Sequence, residues 1–192
     1  MRFSKTIPFF IILSLTFIQC KKEPSDINLL SAPNNWRKET IPFPLSFAKS
    51  IQHRGTEYVR FSPGWGKQGS EEYFSYVFLW YLDNDPQLSD RQLESELEVY
   101  FDGLMQEVKD RDETILKAKA FFEKIDDQSF AGKVITYDAF TTKKEVQLNV
   151  VVTYNYCQSS NKYLLLFKIS PQPIDHVIWD KLHKVNPNID CI

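Results

Sequence analysis

The sequence predicts an α+β fold: a mainly antiparallel sheet of about six strands with helices packed on both faces, an α/β/α sandwich. Three observations carry this. Residues 72–82 are apolar on both parities, with Phe74, Tyr76, Phe78, Trp80 and Leu82 on one side and Tyr73, Val77, Leu79 and Tyr81 on the other. A strand apolar on both faces is covered on both faces. From Ser89 onward an apolar stripe recurs at helical spacing, and the stretch 133–169 alternates with period two. The 192 residues are 43% hydrophobic, 15% aromatic and 25% charged, with a net charge of −2. That composition excludes a disordered or collagen-like chain and fits one domain with a full core. It also excludes bulk electrostatic binding to nucleic acid, which needs a clustered basic face.

Each element follows in order. Ile41-Pro42-Phe43-Pro44-Leu45-Ser46-Phe47 is extended, because each proline disfavours helix in the residue before it. Thr56-Glu57-Tyr58-Val59-Arg60-Phe61 alternates as a strand, and Pro63 to Ser70 is dense in turn formers. Asp83-Asn84-Asp85-Pro86 ends the doubly apolar strand. Ser89 caps a long helix with Gln92 three residues on, and Leu88 staples to Leu93. Its inward stripe is Leu93, Leu97, Tyr100, Phe101, Leu104 and Val108; Arg91, Glu94, Glu98, Asp102 and Lys109 lie opposite. Residues 116–125 and 133–140 read as strands with Gly132 at the turn between them, and Thr141 to Lys144 as a hairpin connection. Then Val146, Leu148, Val150, Val152, Tyr154 and Tyr156 share one strand face. Residues 163–169 form the last strand, and Pro171 and Pro173 precede a closing helix over 174–185 with Ile174, Val177, Ile178, Leu182 and Val185 inward.

This succession resembles the PsbP/Mog1/DcrB-type fold, chiefly over 133–185, where two hairpins end in Tyr163-Leu164-Leu165-Leu166-Phe167-Lys168-Ile169-Ser170-Pro171 before an amphipathic helix. The resemblance is one of topology and implies no chemistry.

The N-terminus reads as an address. Arg2 and Lys5 precede an uncharged apolar run over 7–18, which as a helix spans only about 18 Å against about 30 Å of hydrocarbon. Cys20 follows, then the abruptly polar Lys21-Lys22-Glu23-Pro24-Ser25. The order resembles a bacterial lipoprotein signal, with Phe17 and Gln19 standing where the usual pattern has Leu and a small residue. The resemblance implies a leader over 1–19, a diacylglyceryl-modified Cys20, a tether over 20–35 and one domain over 36–192, held at the bacterial cell envelope on its periplasmic or surface side. Acyl chains at about 0.8 kcal/mol per methylene make such an anchor effectively permanent. Without residues 1–19 the chain has 21 basic and 25 acidic residues, a charge of −4, so membrane contact belongs to Cys20 and not to the body.

If Cys20 carries lipid, Cys157 and Cys191 remain as a pair in a disulfide-permissive compartment, or as two separate thiols. Signatures of the common catalytic classes are missing: no phosphate-cradling glycine loop, no His-Glu-x-x-His, no Gly-x-Ser-x-Gly and no Cys-x-x-Cys. His176, Asp180 and His183 stand at i, i+4 and i+7, a spacing that on a helix could hold Zn²⁺ with an open position; a solvated helix face is the simpler account. Trp65, between Gly64 and Gly66, is either an exposed recognition residue or a side chain folded back over the sheet edge. The aromatic run from Tyr73 to Tyr81 is core packing, or else the wall of a cavity for an apolar ligand. The expectation is a lipid-anchored envelope protein acting as a non-catalytic binding module for a partner protein, an envelope component or a small ligand, with no cofactor implied. A metal-dependent enzyme on the His176, Asp180 and His183 face and a carrier of an apolar ligand are the alternatives.

Overall fold

The computed structural model describes residues 29–191. Cys20 and the leader therefore lie outside the described residues. In chain order the elements are β1 (Leu30–Ser31), β2 (Arg37–Pro42), β3 (Gly55–Phe61), β4 (Tyr76–Leu82), α1 (Asp90–Val108), β5 (Lys119–Asp126), β6 (Ser129–Tyr137), β7 (Glu145–Cys157), β8 (Lys162–Ser170), α2 (Ile178–His183) and β9 (Asn186–Pro187). The fold is α+β. Seven strands form one antiparallel sheet in the order β2-β3-β4-β8-β7-β6-β5, and β1 pairs with β9 in a small ribbon.

The order explains the doubly apolar stretch. An N-terminal meander, β2 to β4, and a C-terminal one, β5 to β8, are joined where β4 pairs with β8 in the middle of the sheet. Alternate residues of β4 enter different cores: Tyr76, Phe78, Trp80 and Leu82 pack under α1, while Val77 and Leu79 pack with Ile178, Trp179 and Leu182 of α2. The strand itself starts at Tyr76 and not at residue 72, because Phe74 takes a positive φ of 50° and turns the chain.

Helix α1 begins as its capping residue dictates, with Gln92 N donating to Ser89 Oγ at 3.2 Å. Leu93, Leu97, Tyr100, Phe101 and Met105 are buried against the sheet. The polar side of the helix is not simply solvated. Glu94, Glu98 and Asp102, spaced one turn apart, accept the outward backbone N–H groups of Phe122 (2.9 Å), Ala120 (3.2 Å) and Ala118 (2.6 Å). Helix carboxylates thus cap β5, an edge strand whose open N–H row would otherwise invite another chain.

Two further expectations are corrected. Gly132 is not at a turn: it lies mid-strand in β6, and the hairpin turns at 127–128, where Asp126 Oδ1 accepts from Gln128 N at 2.8 Å. The glycine is needed because a Cβ there would sit 2.6 Å from the Phe122 ring. The closing helix is six residues long, not twelve or so: Pro173 O and His176 O accept turn bonds from His176 N and Trp179 N, and α2 starts only at Ile178. Ile174 and Val177 are consequently exposed, not inward.

The second face of the sheet is therefore covered unevenly. Trp36, β1, α2 and Val185 close it over β4 and β8, joined by Leu29 and Leu30, which are buried in the same cluster. Over β5 it lies open, with Phe121 58% and Ile125 62% exposed. A full helical layer on both faces is not what this chain builds, since one short helix cannot span seven strands. Cys157 and Cys191 are disulfide-bonded with Cα atoms 4.4 Å apart, tying the end of β7 to the C-terminal segment beyond β9.

Candidate functional site

Where β2, β3 and β4 pass beneath the C-terminal half of α1, the core does not close. A cavity of about 240 Å³ remains. Its wall is set by strand register. Arg37 pairs with Phe61 and Glu39 with Val59 across β2 and β3; Phe61 pairs with Tyr76 and Glu57 with Trp80 across β3 and β4. All seven share the α1 side of the pleat. Tyr100, Leu104 and Val108 of α1 supply the opposite wall.

The roof comes from two loops, each held by a carboxylate. Between β3 and β4, Glu72 Oε2 accepts from Gly64 N at 3.0 Å while its Oε1 accepts from Lys181 Nζ at 2.7 Å, and Phe74 N donates to Trp65 O at 2.9 Å. A Cβ on Gly64 would meet Glu72 Cβ at 2.8 Å, so glycine is required there; at Gly66 nothing lies within 4 Å. Between β6 and β7, Asp138 accepts from the backbone N–H of Phe140, Thr141 and Thr142, and from Tyr73 Oη at 2.5 Å. The two loops bring Trp65 and Phe140 together, ring centroids 5.0 Å apart, with Phe61 4.9 Å from Trp65. Trp65 is therefore folded over the sheet end and forms part of the cavity roof.

The floor is polar. Glu57 is fully buried, its Oε1 accepting from Tyr100 Oη and its Oε2 from Trp80 Nε1, both at 2.8 Å. Burial pushes its carboxyl up to about 7, against the opposing pull of those two donors. Tyr76, beside it, has its hydroxyl pushed well up by burial and by the Glu57 charge. Two buried polar atoms of the cavity lining, Tyr76 Oη and Trp65 Nε1, have no hydrogen-bond partner among the described residues. Unsatisfied buried donors are rare and costly, and two in one cavity mark a place where something else supplies the partner. At the mouth, the Arg37 guanidinium lies 4.2 Å above the Phe61 ring and 5.3 Å from that of Trp65, and 3.6 Å from Glu39.

Tyr76 belongs to the aromatic run from Tyr73 to Tyr81 that the sequence offers as a cavity wall, whereas Glu57 and Tyr100 are not among the sequence candidates. One signal was present: Glu57 shares parity with Val59 and Phe61, so a carboxylate stands on the apolar face of its strand.

The remaining sequence candidates fall elsewhere. His176, Asp180 and His183 do not form a ligand set, because His176 precedes α2 and its Nδ1 accepts from Ile178 N at 3.2 Å. His183 Nδ1 lies 3.4 Å from Lys168 Nζ, and burial together with that cation holds its imidazole below the usual value. No cluster of three or more His, Cys, Asp or Glu side chains suited to a metal occurs among the described residues. A second concavity, open and about 540 Å³, lies at the start of α1, where His53 Nε2 and Glu96 Oε2 meet at 2.9 Å. Gln92 Nε2 donates to the other Glu96 oxygen at 2.6 Å, so the pair fastens the loop before β3 to the helix. None of the described helices is long and apolar enough to cross a membrane. Neither a protein-family model nor a curated protein matches the chain, so the chemistry of the cavity is the guide to what it holds.

Proposed function

We propose that this chain is a lipid-anchored protein of the bacterial cell envelope that binds a small, largely apolar ligand in the aromatic cavity, without turning it over. The observation that carries the reading is the cavity itself: aromatic walls enclosing two unpartnered buried polar atoms. Small-molecule sites combine an apolar lining with a few placed polar groups in this way. Volumes for drug-sized ligands start at about 300 Å³, so a cavity of about 240 Å³ fits a smaller molecule, one ring or a short chain. Support for the anchor is the order Arg2, Lys5, apolar 7–18, Cys20. An anchored binder meets ligand and partners at the membrane surface, where effective concentration makes modest affinity sufficient. The order of elements, two meanders flanking one long helix, supports keeping the resemblance to the PsbP/Mog1/DcrB-type fold within this reading.

Two measurements test it. The full chain, extracted in nonionic detergent, is titrated calorimetrically with 4-methylphenol, a neutral one-ring probe, and the heat of titrating protein-free detergent is subtracted. Saturable binding of one probe per chain is expected, and Val108→Trp, which fills the cavity from a partly exposed helix position, is expected to weaken it by about tenfold or more. Equal binding by wild type and variant would place the probe elsewhere and remove the cavity as the site. In cells, Cys20→Ala is expected to move the chain from the membrane to the aqueous fraction; an unchanged distribution would reject the anchor.

A further inference from the structure

We infer that the ligand is a small organic cation, a protonated amine on an apolar or aromatic body, seated between the cavity's aromatic rings with its N–H groups toward Glu57 and Tyr76. This rests on the cavity being a ligand site and adds what kind of ligand it takes. Three features lead there. First, Glu57 is a fully buried carboxyl to which no described residue makes an ion pair, and its two hydrogen bonds leave lone-pair positions on both oxygens. Buried carboxylates are normally matched by a cation, and here none of the described residues supplies one. Second, Tyr76, only 3% exposed, presents a hydroxyl without a partner that can accept an ammonium N–H. Third, the rings at the cavity mouth already hold a cation: Arg37 lies over Phe61 and Trp65. The faces of Trp, Tyr and Phe attract cations most where the ring is removed from solvent, and the deeper rings here, Tyr76 and Tyr100, are each 3% exposed. Trp65 Nε1, a donor at the roof, adds a place for a hydroxyl or carbonyl oxygen at the far end of the ligand.

The competing occupants are a neutral molecule that merely accepts from Tyr76 and Trp65, and an anion drawn by Arg37. Three probes of one shape separate them: 2-phenylethylamine, 2-phenylethanol and phenylacetate, each titrated calorimetrically into the full chain in nonionic detergent at about pH 8, where the amine is protonated and Glu57 is ionised. The amine is expected to bind about tenfold or more tighter than the alcohol, and phenylacetate weakest. Glu57→Gln is expected to bring amine and alcohol within about twofold of each other while leaving the alcohol's affinity in place. Should Glu57→Gln not fold, Tyr76→Phe keeps the ring and removes the hydroxyl, and it is expected to weaken the amine by about threefold or more. Alcohol binding as tight as amine, or phenylacetate binding tightest, would overturn the cation while leaving a ligand cavity. Binding of none of the three, together with failure of 4-methylphenol to bind, would reject the cavity reading itself.

Discussion

As the pH rises from about 5 to about 8, Glu57 is expected to withdraw about 3 kcal/mol from the stability of the unliganded fold. The sign follows from the direction of the shift. In the folded chain burial holds the carboxyl at about 7, above its ordinary 4.5, so the folded state keeps a proton that the unfolded state has already lost. Stability is thus undiminished below the lower value, declines between the two, and is fully reduced above the upper one. The groups facing Glu57 are the Trp80 N–H from β4 and the Tyr100 hydroxyl from α1, which donate to it, the neutral Tyr76 hydroxyl, and the Glu39 carboxylate, which adds negative potential. Urea unfolding at pH 5, 6, 7 and 8, for wild type and Glu57→Gln, isolates the effect, because every other titrating group is common to both. The wild-type curve is expected to fall relative to the variant's. Parallel curves would mean that Glu57 does not change its charge state over this range. An amine that seats beside the ionised carboxylate returns part of what burial withdraws.

The second large effect is in the core. Phe78 is fully buried, its ring stacked on Phe167 at 4.3 Å and on Tyr100 at 5.3 Å, at the point where the two meanders meet under α1. Phe78→Ala is expected to cost about 3–5 kcal/mol, since it removes a large buried side chain and leaves a hole between strands that pair on both sides and cannot collapse. Phe121→Ala, on the open face of β5, is the matched control and should stay within about 0.5 kcal/mol of wild type. Urea midpoints with unchanged slope give both values. A loss below about 1 kcal/mol for Phe78→Ala would mean that the centre of the sheet repacks freely.

Local pattern settled much of this molecule. The Ser89 cap, the stripe through Leu93, Leu97, Tyr100 and Phe101, and the alternation through Leu148, Val150 and Val152 are all where spacing placed them, because capping and amphipathic periodicity act within a few residues. The double apolarity of 76–82 likewise announced a strand at the middle of the sheet. Other outcomes depended on neighbours remote in sequence. Gly132 reads as a turn residue until the Phe122 ring is seen to need its space, and Glu94, Glu98 and Asp102 read as a solvated helix face until β5 brings its unpaired N–H groups to them. The cavity is the extreme case. Glu57, Tyr76 and Tyr100 come from three separate elements, and Trp65 and Phe140 from two loops, so no window of sequence contains the site. Short-range periodicity specifies which side of an element is apolar; how well two such sides fill the space between them is a property of long-range packing, and here they leave room around a carboxyl.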